Sequence, residues 1–253
     1  MSILNYKSLC RVIVFCVATA VLTEVVSASE SFDTLKGFVE SIWGKVIIYA
    51  ALLVATAVFF YIKLQAKFSE ARAANDLRFM AKHSAIFEWG HVKARVGDCF
   101  YRYHAPWRVG DLDKENVWMA DSYWRDFKKL FLDRIEKEGL VNVCNIKTIK
   151  EIKPLLFIHR NVGGKDERSK LVVCISAKLR NYLSALATGN LVEGSKEYHD
   201  TKTIWSFEVV NGNWVITNIE DMSVSSEYLK LVSDLPKIED TLLKPVKIMT
   251  AAE

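Results

Sequence analysis

The sequence predicts an α+β protein: helices packed into the concave face of a curved antiparallel sheet, cone-like, preceded by a transmembrane helix. Three observations predict it. Residues 46–62, VIIYAALLVATAVFFYI, form an apolar run without a charge, close to the length that spans a bilayer. Residues 91–138 place apolar side chains at helical spacing. From residue 141 the period shortens to two, with Asn211-Gly212 as a hairpin turn.

The N-terminus has the three-part layout of a secretory signal. Lys7 and Arg11 precede an apolar stretch over 12–22, and Val26-Ser27-Ala28 offers small residues for cleavage after Ala28. An uncleaved anchor is the alternative. Residues 1–28 are therefore the signal-like segment and 29–44 a short extracytoplasmic segment. The transmembrane helix covers 45–63, bracketed by Lys45 and Lys63, with Trp43, Tyr49 and Tyr61 suited to the interfaces. After it come Lys63, Lys67, Arg72, Arg78 and Lys82 against Glu70 and Asp76. The excess of positive charge places the soluble domain on the cytoplasmic side of the inner membrane, single-pass after signal cleavage.

Residues 64–90 read as a juxtamembrane helix continuing out of the bilayer. Its cations Lys67, Arg72, Arg78 and Lys82 are candidates for contact with an anionic membrane surface; a plain linker helix is the alternative. The domain proper spans 91–222. A helix from His91 carries Val92, Val96, Cys99, Phe100, Tyr103 and Trp107 on one stripe, and Pro106 with Gly110-Asp111 ends it. A second runs over 115–138, its face made by Met119, Tyr123, Trp124, Phe127, Leu130, Phe131 and Ile135, with Gly139 as C-terminal cap. Residues 141–158 read as a long strand or bent pair, with Pro154 marking an edge or bulge. Leu171, Val173, Ile175, Ala177 and Leu179 alternate with Lys178 and Arg180. Thr188-Gly189-Asn190 is a turn. Thr203, Trp205, Phe207 and Val209 alternate in the next strand, and Trp214 and Ile216 return antiparallel to it. Residues 223–253 are a C-terminal tail with a short helix near 226–232.

Composition narrows the function. Net charge is +4, with 34 basic and 30 acidic side chains interspersed along the chain, so no basic stripe calls for nucleic acid. Cys99, Cys144 and Cys174 lie far apart, without zinc-ligand spacing, and read as free thiols in a reducing compartment. His83, His91 and His104 share no metal face, and no phosphate-binding loop or nucleophile elbow is present. No metal and no cofactor are expected. The polar candidates within the apolar domain are His91, Asp98, Tyr103, His104, Tyr123 and Tyr182, with Asp111 able to meet His104 near the turn.

Two stretches carry a family resemblance. Residues 92–112, VKARVGDCFYRYHAPWRVGDL, and 204–220, IWSFEVVNGNWVITNIE, resemble the first helix and closing hairpin of the Tim-forty-four-like family, the C-terminal domain of the mitochondrial import-motor scaffold and its bacterial relatives. Trp107 with Gly110-Asp111, and the W-x-F and W-x-I strands, carry the likeness. It implies a nuclear-transport-factor-two-like cone with a hydrophobic pocket, associated with anionic lipid and translocase subunits. The long charged region that engages the heat-shock chaperone in that family is not seen here.

The expected function is a membrane-anchored, non-catalytic binding or scaffold module in protein translocation or membrane-protein assembly. Its pocket candidates are Phe100, Tyr103, Trp107, Tyr123, Phe127, Trp205 and Phe207. Its partners are anionic lipid and membrane-protein subunits. The alternative is a membrane-bound cone-fold enzyme or carrier for a small apolar molecule.

Overall fold

In the computed structural model, residues 39, 41–105, 118–160 and 166–242 are described. The signal-like segment, residues 29–38 and 40 of the segment after it, Trp107, Gly110-Asp111 and the last eleven residues lie outside them. The chain divides into two compact units, Met1–Phe68 and Ser69–Glu253.

The first unit holds most of helix α1, Ile42–Met80. This is the one helix among the described residues long and apolar enough to cross a membrane, and none of its most apolar stretch is buried. Tyr61, Phe60 and Leu53 are all more than half exposed. A soluble helix of this length would turn a polar face to water and bury the other; residues 46–62 have no polar face.

The second unit begins within α1. Ser69, Ala73, Leu77 and Met80 are buried at the spacing of one helix face. The helix expected over 64–90 stops at Met80, and a second, α2, starts at Trp89. The break has a local cause. Glu88 is an extended N-cap whose carboxylate accepts from Gly90 N at 2.9 Å and His91 N at 2.8 Å, satisfying two donors no helical carbonyl can reach. Just before it Phe87 is fully buried against Phe157, with ring centroids 5.4 Å apart.

Helix α2, Trp89–Tyr103, buries Val92, Val96, Cys99 and Phe100. The expected 115–138 helix starts only at Asp121, since Met119, expected on its face, forms a β-bridge with Ile216 instead, and it is not one regular element. Helix α3, Asp121–Phe127, passes through a π-helical turn, Lys128–Leu132, into α4, Asp133–Lys137. Gly139 at φ +61° then ends it, as the sequence predicts.

Four strands follow: β1 Leu140–Ile158, β2 Lys170–Ala185, β3 Leu191–Val210 and β4 Asn213–Asp221. They make one antiparallel sheet in the order β1-β2-β3-β4. β1 is an edge strand with register shifts at three places, one between Pro154 and Leu156, as Pro154 foretells. Asn211 and Gly212 take φ +51° and +73°, the left-handed pair a two-residue hairpin demands. Their amides donate to the Glu167 carboxylate at 3.1 and 3.0 Å.

Alternation sorts the sheet into two faces. Leu171, Val173, Ile175, Trp205, Phe207 and Ile216 share one core with the end of α1, Phe87, α2 and α3. Leu156, Val172, Cys174 and Ile204 point the other way, covered by Tyr228, Val232 and Leu235. The C-terminal region read as a tail therefore belongs to the fold as far as residue 242. Its helix α5, Ser225–Asp234, is longer than expected. Arg72 fastens the end of α5, donating to the carbonyls of Val232, Leu235 (2.7 Å) and Pro236 (2.9 Å).

Candidate functional site

The aromatic candidates converge where α2 meets β3. Trp205 lies 5.3 Å from Phe100 and 5.2 Å from Tyr103 between ring centroids, and Tyr103 lies 5.4 Å from Phe127. Tyr103 and Tyr123 are joined by a hydrogen bond between their side chains. Phe100, Trp205 and Phe207 are at most 1% exposed and Phe127 is 8% exposed, so these four rings are filled on all sides by protein. Tyr103 and Tyr123 are half-buried.

A cavity of about 460 Å³ is lined by none of the six described candidates. His104 at the end of α2, Leu179 and Asn181 of β2, and His199, Thr201 and Thr203 of β3 form its wall. An irregularity in the sheet shapes it. Leu179 pairs with His199 and Asn181 with Ser195, so Arg180 alone faces three residues of β3, Lys196 to Tyr198. Next to this bulge Gly194 sits at φ +89°; a Cβ there would lie 2.4 Å from the Asn181 carbonyl oxygen. Only glycine allows the strands to approach so closely. Asn181 Oδ1 is buried and lacks a hydrogen-bond partner among the described residues, a cost that a bound donor would relieve.

Burial sets the protonation states around the cavity. The His104 imidazole, against Phe100 at 4.5 Å and Tyr103 at 5.1 Å, is pushed down to about 4, so it is neutral at pH 7. Desolvation raises the Tyr103 and Tyr123 phenols. Cys99 and Cys144 are pushed up to about 11 by burial. All three described cysteines are free, buried and thus weak nucleophiles. A neutral imidazole at a cavity wall can exchange a hydrogen bond or a proton. His91 is exposed, Asp98 accepts from Arg102 on the outer side of α2, and Tyr182 lies under Lys196. Among the described residues no cluster of three or more His, Cys, Asp or Glu side chains could hold a metal.

The membrane-surface candidates divide. Lys67 is exposed in the first unit, and Arg78 and Lys82 are exposed in the second. Arg72 is half-buried, its guanidinium spent on the three carbonyls of the α5 end and on Asp76 at 3.8 Å. Residue spacing showed a cation one turn from its neighbours but not the carbonyls 160 positions away. Asn181, Ser195 and Thr201 were not singled out in the sequence either, and nothing there marked His199 or Thr203 as a cavity residue. Gly194 inside an otherwise polar run over 193–202 was the available signal for the bulge that assembles them.

No family model matches the chain, and no curated protein matches it. Among solved structures, the intermembrane-space region of the chloroplast protein ARC6 aligns at 13% identity. The alignment covers 41% of this chain and 72% of that one, with a TM-score of 0.29. So loose a superposition carries no functional argument.

Proposed function

We propose that the protein is a membrane-anchored, non-catalytic binding or scaffold module of the Tim-forty-four-like kind, its α+β unit a cone-like domain on the cytoplasmic side of the inner membrane. One observation carries the reading. A single helix, Ile42–Met80, supplies both a charge-free exposed segment and three core residues of the second unit, Ala73, Leu77 and Met80. The partner is a membrane-protein subunit, such as a translocase component, with anionic lipid engaged by Lys67, Arg78 and Lys82. The test is recovery of the full-length protein from native membranes in mild detergent, with co-purifying proteins and lipids identified. Stoichiometric membrane-protein subunits support the reading; the protein alone argues against it.

A second reading has its own observation. The neutral His104 and the unpartnered Asn181 Oδ1 at one cavity favour a small-molecule carrier or enzyme site. Its wall of Thr, Asn and His side chains suits a polar ligand better than the apolar one the resemblance implies. Turnover or retention of a small metabolite by the purified protein, lost on His104→Phe, would support it.

A further inference from the structure

We propose that the outer half of the sheet, on the face turned away from α2 and α3, docks an extended acidic segment of a partner protein. This deepens the binding-module reading and rests on it.

The face is set by register. Cys174 and Ile204 point toward α5. Side chains alternate along a strand, so Ser176, Lys178, Arg180 and Tyr182 of β2 follow Cys174 onto the same side. Their partners are Lys202 opposite Ser176 and Asp200 opposite Lys178 on β3, and Glu151 and Asn145 on β1. Helix α5 covers only the inner part of this face, against Leu156 and Val172. Beyond it the sheet surface is basic. Lys147, Lys150 and Lys153 come from β1, Lys178 and Arg180 from β2, and Lys196 and Lys202 from β3. The carboxylates beside them are Glu151, Asp200 and, next to Lys153, Glu70.

The surface shows which anion it takes. Asp200 is 2.7 Å from Lys150, and Glu151 is 2.9 Å from Lys153. Carboxylates on extended chain already fit between these cations. Lys147, Arg180, Lys196 and Lys202 have no ion pair among the described residues, yet three of them are held in place. Lys147 and Arg180 lie over the Tyr198 ring at 5.8 and 5.4 Å, and Lys196 over Tyr182 at 5.8 Å. Tyr198 is itself fixed by its hydroxyl, which donates to Asn145 Oδ1 at 2.8 Å. The guanidinium is thereby oriented before any ligand arrives, which cuts the cost of ordering it. An extended peptide presents alternate side chains about 6.6–6.8 Å apart, the same repeat that separates Lys178 from Arg180 along β2. A strand-like acidic segment therefore matches the cations in step.

Single-stranded nucleic acid fits less well. It binds through open aromatic faces on which bases stack, and here each tyrosine ring carries a cation on its face. A bilayer surface offers charge without this spacing.

The test uses the full-length protein in neutral-lipid nanodiscs with a fluorescent octaglutamate peptide. Expected is saturable, salt-sensitive binding, weakened about ten-fold or more in Arg180→Gln/Lys196→Gln/Lys202→Gln. Lys196 and Lys202 are exposed, whereas Arg180 is half-buried with its Nε enclosed, so the Lys196→Gln/Lys202→Gln double variant, which should keep its melting temperature, must weaken binding on its own. Arg180→Lys, which retains the charge but not the planar fork, should weaken binding a few-fold. Lys67→Gln/Arg78→Gln/Lys82→Gln should leave it unchanged. Peptide binding that is absent, or equal in the triple variant and wild type, overturns the proposal while leaving the co-purification test of the module reading intact. A single-stranded oligonucleotide of equal charge that binds more tightly overturns it in favour of nucleic acid. Loss of binding to anionic vesicles alone in the triple variant overturns it in favour of lipid.

Discussion

The Arg72 guanidinium donates to the Leu235 carbonyl oxygen at 2.7 Å, joining residues 163 positions apart. Arg72 lies on the part of α1 that enters the second unit, and Leu235 just past the end of α5. The last carbonyls of a helix have no intrahelical donor, and a cation there satisfies them and matches the helix dipole.

Arg72→Ala should therefore loosen α5 from the sheet. The expected cost is roughly 1.5–3 kcal/mol, the range for hydrogen bonds to a charged group. Arg72→Lys should recover only part of it, because an ammonium cannot fork across three carbonyls. Thermal unfolding gives the cost, and limited proteolysis should show new cleavage within 222–242. An unchanged proteolytic pattern would show that α5 is held by its apolar contacts alone.

Trp205 is fully buried among Phe100, Tyr103 and Phe207. Trp205→Ala empties the most deeply buried of the core tryptophan sites and should cost about 3–5 kcal/mol by urea unfolding. Trp205→Phe should cost clearly less. Equal losses would show that the indole N–H bond to Thr203 Oγ1, 2.8 Å long, matters more than the volume.

Gly194→Ala would place a Cβ 2.4 Å from the Asn181 carbonyl oxygen and 2.8 Å from Tyr182 Cα, at φ +89°. Both contacts are to backbone, which does not yield cheaply. Destabilisation of roughly 2 kcal/mol or more is expected, together with altered amide shifts at the cavity residues Asn181 and His199. Full stability would mean that the bulge has room to open.

His104 gives the unit an acid-sensitive point. Burial lowers its pKa from 6.5 to about 4, so between these values the unfolded chain binds more protons than the folded one. Its contribution is present above pH 6.5 and is lost as pH falls toward 4. His104→Phe should flatten the stability profile in that window. An unchanged slope there would assign the acid sensitivity to other groups.

Much of this architecture was legible in the sequence because it rests on local rules. A charge-free run needs no neighbour to declare itself, so 46–62 was plain. Asn211-Gly212 and Gly139 were equally plain, because a left-handed backbone favours those residues wherever it occurs. The two strands around that hairpin were legible because their β-branched and aromatic residues, Trp205, Phe207, Val209, Trp214 and Ile216, recur at a period of two on the face that packs into the main core. Leu191–Lys202 was missed as a strand because neither face is buried there; backbone pairing with β2 makes it a strand, and backbone pairing leaves no trace in side-chain polarity. The 64–90 helix was drawn too long because Glu88 looks like any helical glutamate until its carboxylate is seen folding back onto Gly90 N and His91 N.

By itself, then, the sequence determined the spanning-length apolar segment, the order of helices before strands and most of the buried aromatic residues, all properties written at separations of a few residues. Tertiary structure alone decided that Phe100, Phe127, Trp205 and Phe207 are filled core rather than pocket lining, and that other residues wall the cavity. It also turned Arg72 inward to the α5 carbonyls. The same holds for charge. Lys147, Lys178, Arg180, Lys196 and Lys202 are scattered among acidic residues along the chain, and strand pairing brings them onto one surface. The physical reason is that side-chain period fixes what a residue faces locally, whereas register between strands distant in sequence fixes what it stands beside.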